Sequence, residues 1–529
     1  MKVLVSDNIS SKGVEILKKA GLEVEVKTGL KPEELKAIIG EYDALVIRSA
    51  TKVTAEIIEA ADKLKVIGRA GTGVDNVDKV AATKKGIVVM NTPGGNTITT
   101  AEHAIAMLFS LARKIPQATA SMKSGKWEKK KFMGVELYNK TIGIIGLGRI
   151  GSEVAKRTQC MGMNVLAYDP FLSDERAEEL GITKTDLDRI FAEADFITLH
   201  TPLTPETKHL INKDTIAKMK KGVYIINCAR GGIVNEKDLY EAIQEGKVAG
   251  AALDVFEKEP PEEGYPLVAD ERVICTPHLG ASTLEAQENV AVAIAEQIVD
   301  YLINGTIRNA VNFPSIPFDQ VPLIRPYLIL LERMGSFASQ IFSKSIKQIH
   351  IEYLGEISSL NTQALTAAAL KGVLDPILGE PVNYVNASFI AKERGIEVKE
   401  IKGKEAGDYQ SLVRINLISK DDKAIVAGTL LSRKDPRIVQ INDISMEIIP
   451  EGNMIFMRNH DRPGVIGNIG TLLGKNNINI GHMHFGRKEA GGIAFSVISI
   501  DASLTDEIIE QIKKLPNVLE VKPVYISVH

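Results

Sequence analysis

The sequence has little cysteine, no excess of either charge and no long hydrophobic run, and each shortage excludes a class of protein. Three cysteines, Cys160, Cys228 and Cys275, are scattered over 529 residues without a Cys-x-x-Cys pair. We therefore expect neither a metal site nor a disulfide framework. The 64 basic residues nearly balance 67 acidic residues, so no basic surface points to nucleic acid or to a membrane. The apolar stretch 321–331 is broken by prolines and an arginine and is too short to span a bilayer.

The length and the composition are those of a multidomain globular protein. A chain of 529 residues predicts three or four domains, at roughly 150 residues each. Hydrophobic residues make up 44% and charged residues 25%, which is enough to build ordinary cores. The first seven residues read as a short strand rather than as a signal sequence, so we expect a cytoplasmic protein.

The first three hundred residues alternate short β-branched runs with amphipathic segments. This alternation, with Gly and Asn at the breaks, predicts a doubly wound parallel sheet. Segments 54–61 and 100–113 are predicted helices, and residues 122–138, with a lysine run and the only tryptophan, are a predicted exposed connector. The predicted strands are 2–6, 44–47, 66–69, 141–146, 164–168, 196–200 and 223–227.

Two breaks in composition divide the rest of the chain. An amphipathic pattern over about 282–302 predicts a long helix. Three prolines within 312–322 then indicate a linker, because proline removes backbone donors and blocks helix continuation. A second break lies at 450–452. After it, the C-terminal segment has the βαββαβ order of a ferredoxin-like fold. Its predicted elements are strand 454–458, helix 464–475, strands 478–485 and 493–500, helix 505–515 and strand 518–526.

A strand that runs into Gly-x-Gly-x-x-Gly and then into a helical pattern indicates a dinucleotide site. Gly146 permits the tight turn, Gly148 lets a pyrophosphate approach the backbone, and Gly151 allows close packing of helix on strand. The helix N-terminus offers free N–H groups to the phosphates. The next strand ends in Asp169, 18 residues after Gly151, where a carboxylate accepts ribose hydroxyls and repels a 2′-phosphate. The sequence thus favours NAD over NADP.

Three further polar segments follow predicted strands, at the edge where open α/β sheets bind ligands. They carry Arg230, Glu259 and His278, the residue types that oxidation of a hydroxy acid requires. Histidine suits the base because its pKa lies near neutrality, and arginine pairs bidentately with a carboxylate. A carboxylate beside the imidazole fixes its tautomer and favours the imidazolium. Singly, each residue also fits an ordinary surface or loop role. Together they predict a dehydrogenase for a small 2-hydroxy acid.

The first 315 residues resemble the D-isomer-specific 2-hydroxy-acid dehydrogenases. The matching motifs are Arg69-Ala-Gly-Thr-Gly-Val-Asp-Asn76, Asn91-Thr-Pro-Gly-Gly-Asn96, the 146–151 glycine turn, Cys228-Ala-Arg-Gly231 and the series Asp254, Glu259, His278. The resemblance implies Arg230, Glu259 and His278 as the catalytic residues, and a homodimer or homotetramer. It also implies an NAD-binding set: Thr72, Gly146, Gly148, Arg149, Ile150, Gly151, Asp169, Thr201, Cys228, Asp254 and Gly280.

The expected fold is α/β, with two doubly wound parallel-sheet domains followed by two smaller domains. A flavodoxin-like substrate-binding domain takes residues 1–98 and is completed by 287–315, and a Rossmann NAD-binding domain takes 99–286. An α+β middle domain is expected at 316–451, and a ferredoxin-like ACT domain at 452–529.

The full layout is similar to that of the D-3-phosphoglycerate dehydrogenase family. Arg48 and Arg69 lie at strand ends in the N-terminal half, where extra positive charge suits a phosphorylated substrate; ordinary surface charge is the alternative. The resemblance implies NAD-dependent oxidation of D-3-phosphoglycerate to 3-phosphohydroxypyruvate, the first committed step of serine biosynthesis. The implied substrate set is Arg48, Ser49, Arg69 and Asn96.

The C-terminal motifs Asn459-His-Asp461-Arg-Pro-Gly464 and Asn477-Ile-Asn479 match the ACT pattern. The resemblance implies serine as a feedback effector, held by Asn459, Asp461 and Asn479 across a pair of ACT domains. Polar side chains and free N–H groups near a helix start suit the zwitterion of an amino acid. The alternative is a domain that serves only oligomerisation.

Other functions also fit the sequence. One is a different D-2-hydroxy-acid dehydrogenase, acting on glyoxylate or hydroxypyruvate; another is a non-enzymatic scaffold that senses NAD or an amino acid. The basic cluster Arg433, Lys434 and Arg437 fits a phosphorylated effector or a solvated loop equally. His482 and His484 share a strand face without a third metal ligand. His103 is expected to pack or to face an interface.

Overall fold

The computed structural model describes residues 1–314, 320–378 and 381–527. Within these residues the chain forms four sheets in succession. The first is parallel throughout and has the order β2-β1-β3-β4-β5, as in flavodoxin-like folds. Its strands are β1 Lys2–Val5, β2 Glu23–Val26, β3 Ala44–Ile47, β4 Val66–Arg69 and β5 Val88–Met90. Its helices are α1 Ser11–Lys19, α2 Pro32–Ile38, α3 Ala55–Glu59 and α4 Lys79–Lys84.

The second sheet is also parallel and has the Rossmann order, β12-β11-β10-β9-β6-β7-β8. Its strands are β6 Thr141–Ile145, β7 Asn164–Tyr168, β8 Thr183–Lys184, β9 Phe196–Leu199, β10 Val223–Asn227, β11 Val248–Leu253 and β12 Val273–Cys275. Apolar clusters cover both faces, as the near-continuous Val and Ile runs predict. The helices are α5 Thr97–Arg113, α6 Ile115–Lys123, α7 Arg149–Cys160, α8 Asp174–Glu179, α9 Leu187–Glu193, α10 Lys213–Lys218, α11 Glu236–Gln244 and α12 Pro266–Ala269.

A long helix, α13 (Leu284–Asn304), returns the chain from the second sheet to the first. The Thr283 hydroxyl caps its start, and Gly305, at φ 67°, ends it. It packs against α1, where a Cβ at Gly13 would lie 2.7 Å from the Ala291 carbonyl oxygen. The helix therefore completes the first domain, and the chain crosses twice between the two sheets.

The third sheet is mixed and has the order β14-β13-β15-β16-β17-β18. Only β13 and β14 pair in parallel; the other neighbours are antiparallel. The strands are β13 Gln348–Gly355, β14 Glu397–Gly403, β15 Ser411–Ile418, β16 Lys423–Leu431, β17 Asp435–Ile441 and β18 Ile444–Ile448. Helices α14 Val321–Ile341, α15 Thr362–Leu374 and α16 Ala387–Glu393 accompany them. This is the predicted α+β middle region.

The fourth sheet is antiparallel and has the ferredoxin-like order β20-β21-β19-β22. Its strands are β19 Gly452–His460, β20 Ile480–Arg487, β21 Ile493–Ile500 and β22 Val518–Ile526, with helices α17 Val465–Lys475 and α18 Asp506–Lys513. The sheet lies against α14. The Gln340 amide exchanges two hydrogen bonds with the backbone of Tyr525, at 2.8 and 2.9 Å, and so covers the β22 edge.

The fold class is as predicted, but two local predictions need correction. The predicted linker 312–322 extends too far, because α14 begins at Val321 and includes Pro322 and Pro326. A proline in the first turn loses no helical hydrogen bond, and packing on α15 and the sheet outweighs the bond lost at Pro326. Residues 315–319, which hold the middle of that linker and the predicted domain boundary, lie outside the described residues.

The predicted connector 122–138 starts inside α6, which ends at Lys123. From there to β6 the chain has neither helix nor strand, and Trp127 is 80% exposed.

No helix within the described ranges combines the length and the hydropathy that a bilayer crossing requires. The same ranges hold no group of three or more His, Cys, Asp or Glu side chains arranged for a metal ion.

Candidate active site

The carboxyl ends of the two parallel sheets meet across a cleft. Arg230, just after β10, reaches over to the loop after β4, where its Nε donates to Asp75 at 3.2 Å. Gly73 leaves room for this contact, since any side chain there would strike the guanidinium. The cleft therefore lies at the edge where doubly wound sheets bind ligands.

The glycine turn after β6 has the geometry that its motif predicts. Gly146 adopts φ 93°, and a Cβ there would lie 2.6 Å from the His200 carbonyl oxygen. A Cβ at Gly151 would clash with the carbonyl of Gly146, so α7 packs on the turn only because residue 151 is glycine. At Gly148, by contrast, no described atom lies within 4 Å of a Cβ. The turn is thus tight on the protein side and open on the ligand side.

Other predicted NAD residues surround this turn. Asp169, at the end of β7, accepts the Leu147 N–H at 2.8 Å, which places a carboxylate beside the turn. The Thr201 hydroxyl is buried without a hydrogen-bond partner among the described residues, and its methyl carbon lies against Gly146. Burial, with the charge of Asp254, raises the pKa of Cys228 and keeps its thiol neutral. Arg149 and Ile150 open α7. An open turn and an unsatisfied hydroxyl fit a bound dinucleotide.

Asp254 organises the loop that carries His278. One carboxylate oxygen accepts the Thr276 hydroxyl at 2.6 Å and the Leu279 N–H at 2.7 Å, and the other accepts the Gly280 N–H at 2.8 Å. His103 Nε2 lies 3.2 Å from the first oxygen. Burial acts to raise the pKa of Asp254, but the hydrogen bonds from these donors lower it below its ordinary value.

His278 and Glu259 form a hydrogen-bonded pair, with 2.8 Å between Nδ1 and Oε2. His278 adopts φ 54°, and its N–H is held by the carbonyls of Asp254 and Thr276, both at 3.0 Å. The Glu259 hydrogen bond raises the pKa of His278 against the opposing effect of burial. Burial acts to raise the pKa of Glu259, but the hydrogen bond and charge of His278 lower it. This is the arrangement of a base and its orienting carboxylate.

Three arginines face the same cleft. Arg69 is largely buried, and its Nε has no hydrogen-bond partner among the described residues. Burial, followed by the charge of Arg230, lowers the pKa of Arg69 to about 10. The charge of Arg48 also lowers the pKa of Arg69, while the charges of Asp75 and Asp7 act to raise it. A largely buried guanidinium with an unsatisfied N–H is costly unless an anion binds to it.

The remaining predicted substrate residues lie around this cluster. The Thr72 hydroxyl donates to the Asn96 side-chain oxygen at 2.7 Å, which ties the loop after β4 to the start of α5. Ser49 is exposed beside Arg48, whose backbone N–H donates to Asp7 at 2.6 Å. The structure therefore brings all four predicted substrate residues to one side of the cleft.

The predicted effector residues do not form one cluster within a chain. Asn459 is buried and accepts the Ser496 hydroxyl at 2.9 Å, and Asp461 accepts the Gly491 N–H at 2.9 Å. Asn479 donates to Asp501 at 2.9 Å. Because β19 and β21 pair Asn459 with Ala494 and Asn453 with Ile500, Asn479 lies at the opposite end of the sheet. About six residues of strand, roughly 20 Å, separate the two groups.

Two contacts of the site were missed by sequence reasoning. His103 lies within hydrogen-bonding distance of Asp254 and Thr276, although the sequence predicted that it would pack or face an interface. Asp75 pairs with Arg230 across the cleft. Asp75 lies within a motif that carries the family resemblance, which was the one available signal. Neither contact could be predicted from residue spacing, because the partners lie far apart in the chain.

Three family models match successive parts of the chain. They describe the NAD binding domain of D-isomer specific 2-hydroxyacid dehydrogenase (residues 105–280), the D-3-phosphoglycerate dehydrogenase intervening domain (323–442) and the ACT domain (453–517). Among solved structures, the TT0316 protein of Thermus thermophilus is 36% identical, covers 59% of this chain and 100% of its own, and has a TM-score of 0.55. A D-lactate dehydrogenase of Aquifex aeolicus, complexed with NAD and lactic acid, is 29% identical over 60% of this chain and 100% of its own, with a TM-score of 0.53.

Full-length relatives are closer in sequence. The D-3-phosphoglycerate dehydrogenase of Archaeoglobus fulgidus is 49% identical, over 98% of this chain and 99% of that protein. The enzymes of that name from Methanocaldococcus jannaschii and Bacillus subtilis are 46% and 44% identical, with the same coverage. The chain belongs to the D-3-phosphoglycerate dehydrogenase family, within the D-isomer-specific 2-hydroxyacid dehydrogenases.

Proposed function

We propose that this protein oxidises the hydroxyl of D-3-phosphoglycerate to the ketone of 3-phosphohydroxypyruvate, with NAD as the hydride acceptor. This is the first committed step of serine biosynthesis. The observation that carries the proposal is the cluster of Arg48, Arg69 and Arg230 beside the His278–Glu259 pair. A carboxylate and a phosphate on one small substrate need that much positive charge.

Each residue of the pair and the cluster has one role. His278 takes the proton of the substrate hydroxyl, and Glu259 stabilises the imidazolium that forms. Arg230 binds the substrate carboxylate through its guanidinium. Arg69 and Arg48 bind the phosphate, which supplies the acceptor that the Nε of Arg69 lacks. Ser49 and Asn96 border that site, and Asn96 accepts the hydroxyl of Thr72, which belongs to the NAD-binding set.

The dinucleotide is held by the residues around the glycine turn. Gly148 and the first turn of α7, including Arg149 and Ile150, face the pyrophosphate, while Gly146 and Gly151 allow the tight turn that presents them. Asp169 accepts the ribose hydroxyls, and Thr201, Cys228, Asp254 and Gly280 complete the set. When bound, NAD⁺ accepts the hydride from the substrate carbon.

The test is NADH consumption with 3-phosphohydroxypyruvate, hydroxypyruvate and glyoxylate. We expect a strong preference for the phosphorylated acid. Arg69→Gln should lower kcat/KM for that acid roughly 10- to 100-fold, the value of a charged hydrogen bond, and change the others little. Arg189→Gln, an exposed arginine of α9, is the control. Equal rates on all three acids, or an equal loss on all three, would point to a different 2-hydroxy-acid dehydrogenase.

Serine regulation is the second part of the proposal. Asn459 and Asp461 from one ACT domain and Asn479 from another bind one serine, because one sheet holds them at opposite ends. The ACT domain match at 453–517 supports a small-molecule ligand. The site therefore needs two chains.

A homo-oligomer is also expected from an apolar surface on the NAD-binding domain. Phe109, Ile115 and Met122 of α5 and α6 are each about half exposed and line one groove with Ala118. A second copy of the chain covers this surface, because adjacent exposed apolar side chains suit a protein–protein contact. Light scattering should give two or four times 57.6 kDa. The three free thiols fit a reducing cytoplasm, where we place the enzyme.

A further inference from the structure

Glu236 is a buried carboxylate close to the active site that no role yet explains. It is the first residue of α11, six positions after Arg230, and only 6% of it is exposed. A buried carboxylate is costly unless its oxygens are hydrogen-bonded. The hydrogen bonds of its two oxygens therefore indicate its role.

Both oxygens of Glu236 bind the loop after β11. Oε1 accepts the Glu257 N–H and Oε2 accepts the Tyr265 hydroxyl, each at 2.6 Å. The Glu236 N–H donates in return to Glu257 Oε1 at 3.4 Å, and His209 Nε2 lies 3.2 Å from the same oxygen. Loop 257–265 is thus anchored near both of its ends by one side chain.

This anchored loop carries Glu259. The Phe256 N–H donates to Glu259 Oε1 at 3.2 Å, while Oε2 binds His278. On the other side, Gly231 packs so tightly on Phe256 that a Cβ would clash with its carbonyl. Glu236 therefore joins the segment of Arg230 to the loop of Glu259, two parts of the site that come from different strands.

A helix-capping role does not account for Glu236. The Asn235 side chain already caps α11 by accepting the Asp238 N–H at 3.1 Å. Neither oxygen of Glu236 turns back to its own helix; both bind the loop. Burial, with the charges of Glu257 and Glu259, raises the pKa of Glu236. Keeping this carboxylate charged therefore costs free energy.

We propose that Glu236 is a positioning residue, which holds Glu259 in hydrogen-bonding reach of His278. The inference rests on the roles given to His278 and Glu259 in the proposed function. If it is right, loosening the loop weakens the bond that raises the His278 pKa. The other charged groups that face His278 have contacts of their own, Asp254 with the 276–280 loop and Arg230 with Asp75.

The test compares Glu236→Ala, Glu236→Gln and Tyr265→Phe with the control Glu241→Ala, an exposed residue of the same helix. The His278 pKa is measured by NMR titration of the histidine rings in the full-length protein, assigned by loss of the signal in His278→Asn. Turnover is measured across pH for each variant. The NMR titration does not depend on turnover, so an inactive wild type would contradict the proposed function without obscuring this result.

In Glu236→Ala we expect the His278 pKa to fall by roughly 0.5 to 1 unit. The kcat should drop on the order of 10- to 100-fold, with little change in KM for NADH. Glu236→Gln keeps an oxygen for the Glu257 N–H and should retain the wild-type pKa. Tyr265→Phe removes the hydroxyl that donates to Glu236 and should lower the His278 pKa by less. This variant keeps the test possible if Glu236→Ala does not fold.

Two results would overturn the proposal. An unchanged His278 pKa in both Glu236→Ala and Tyr265→Phe would make the contacts structural only. An equal fall of the His278 pKa in Glu236→Ala and in Glu236→Gln would show that Glu236 acts on His278 through its charge and not through the loop.

Discussion

His278 illustrates how a single residue is prepared by its neighbours. Its left-handed backbone is held by two carbonyls, and its ring by Glu259. The pair has opposite pKa shifts, upward for the histidine and downward for the glutamate. Each group therefore favours the charged form of the other. The residue type was visible in the sequence, but its strained backbone was not.

Replacing Glu259 by Gln should change both the pH profile and the pH dependence of stability. The His278 pKa falls, so the rise of the oxidation rate with pH, which needs neutral His278, moves to lower pH. The pair stabilises the fold above the unfolded pKa of glutamate, about 4.3, and loses this effect as pH rises through the raised pKa of His278. The difference in Tm between wild type and variant should be larger at pH 6 than at pH 9. A difference that is the same at both would contradict the ion pair.

At the scale of elements, the turn between β6 and α7 separates a structural glycine from a binding glycine. Gly151 has no room for a methyl group, because the Gly146 carbonyl occupies that space. Gly148 has open space around it. The space around Gly148 and Gly151 therefore differs in the way that the motif predicts.

This difference gives a matched pair of variants. Gly151→Ala should destabilise the NAD-binding domain by about 1–3 kcal/mol through overpacking, and weaken NADH binding because the turn must shift. Gly148→Ala should leave the Tm unchanged and only weaken NADH binding, since its methyl group enters the ligand's space. Thermal unfolding and NADH fluorescence distinguish the two. A loss of Tm in Gly148→Ala equal to that in Gly151→Ala would contradict this division.

At the scale of the whole molecule, the domains are not independent bodies joined by linkers. One apolar cluster continues from the first sheet through α13 and α14 into the middle and C-terminal sheets. Asn383 of the middle region donates to the Gly86 carbonyl of the first domain at 2.7 Å. The C-terminal sheet is thus packed continuously with the first domain through the middle region.

Mixed oligomers test whether serine binds between two chains. Asn459→Ala and Asn479→Ala should each abolish serine inhibition, measured against the serine-free rate of the same variant. Co-expressed with different tags and purified as mixed oligomers, the two variants should regain about half of the serine sites. A site built from Asn459 of one chain and Asn479 of the other is then intact. Mixed oligomers that remain insensitive to serine would mean that each chain binds its ligand alone.

Local sequence was sufficient where the determining contacts are local. Strands 44–47, 66–69, 164–168 and 223–227 begin and end as predicted, because β-branched runs buried on both faces leave little choice. The glycine turn and the ferredoxin-like order were likewise predictable from local sequence, while the catalytic trio Arg230, Glu259 and His278 stays a prediction. Helix ends were less accurate: α5 begins at Thr97 rather than at residue 100, since its start depends on the Asn91–Asn96 loop.

Tertiary structure decided everything that depends on residues far apart in the chain. The pairing of Arg230 with Asp75 joins positions 155 residues apart, and that of His103 with Asp254 joins α5 to the loop after β11 within the NAD-binding domain. The burial of Arg69, the anchoring of loop 257–265 by Glu236 and the separation of Asn459 from Asn479 have no local pattern. The sequence by itself determined which chemistry is present, because motifs are local. Only the fold decided which groups meet, because charge, burial and hydrogen bonding act through space.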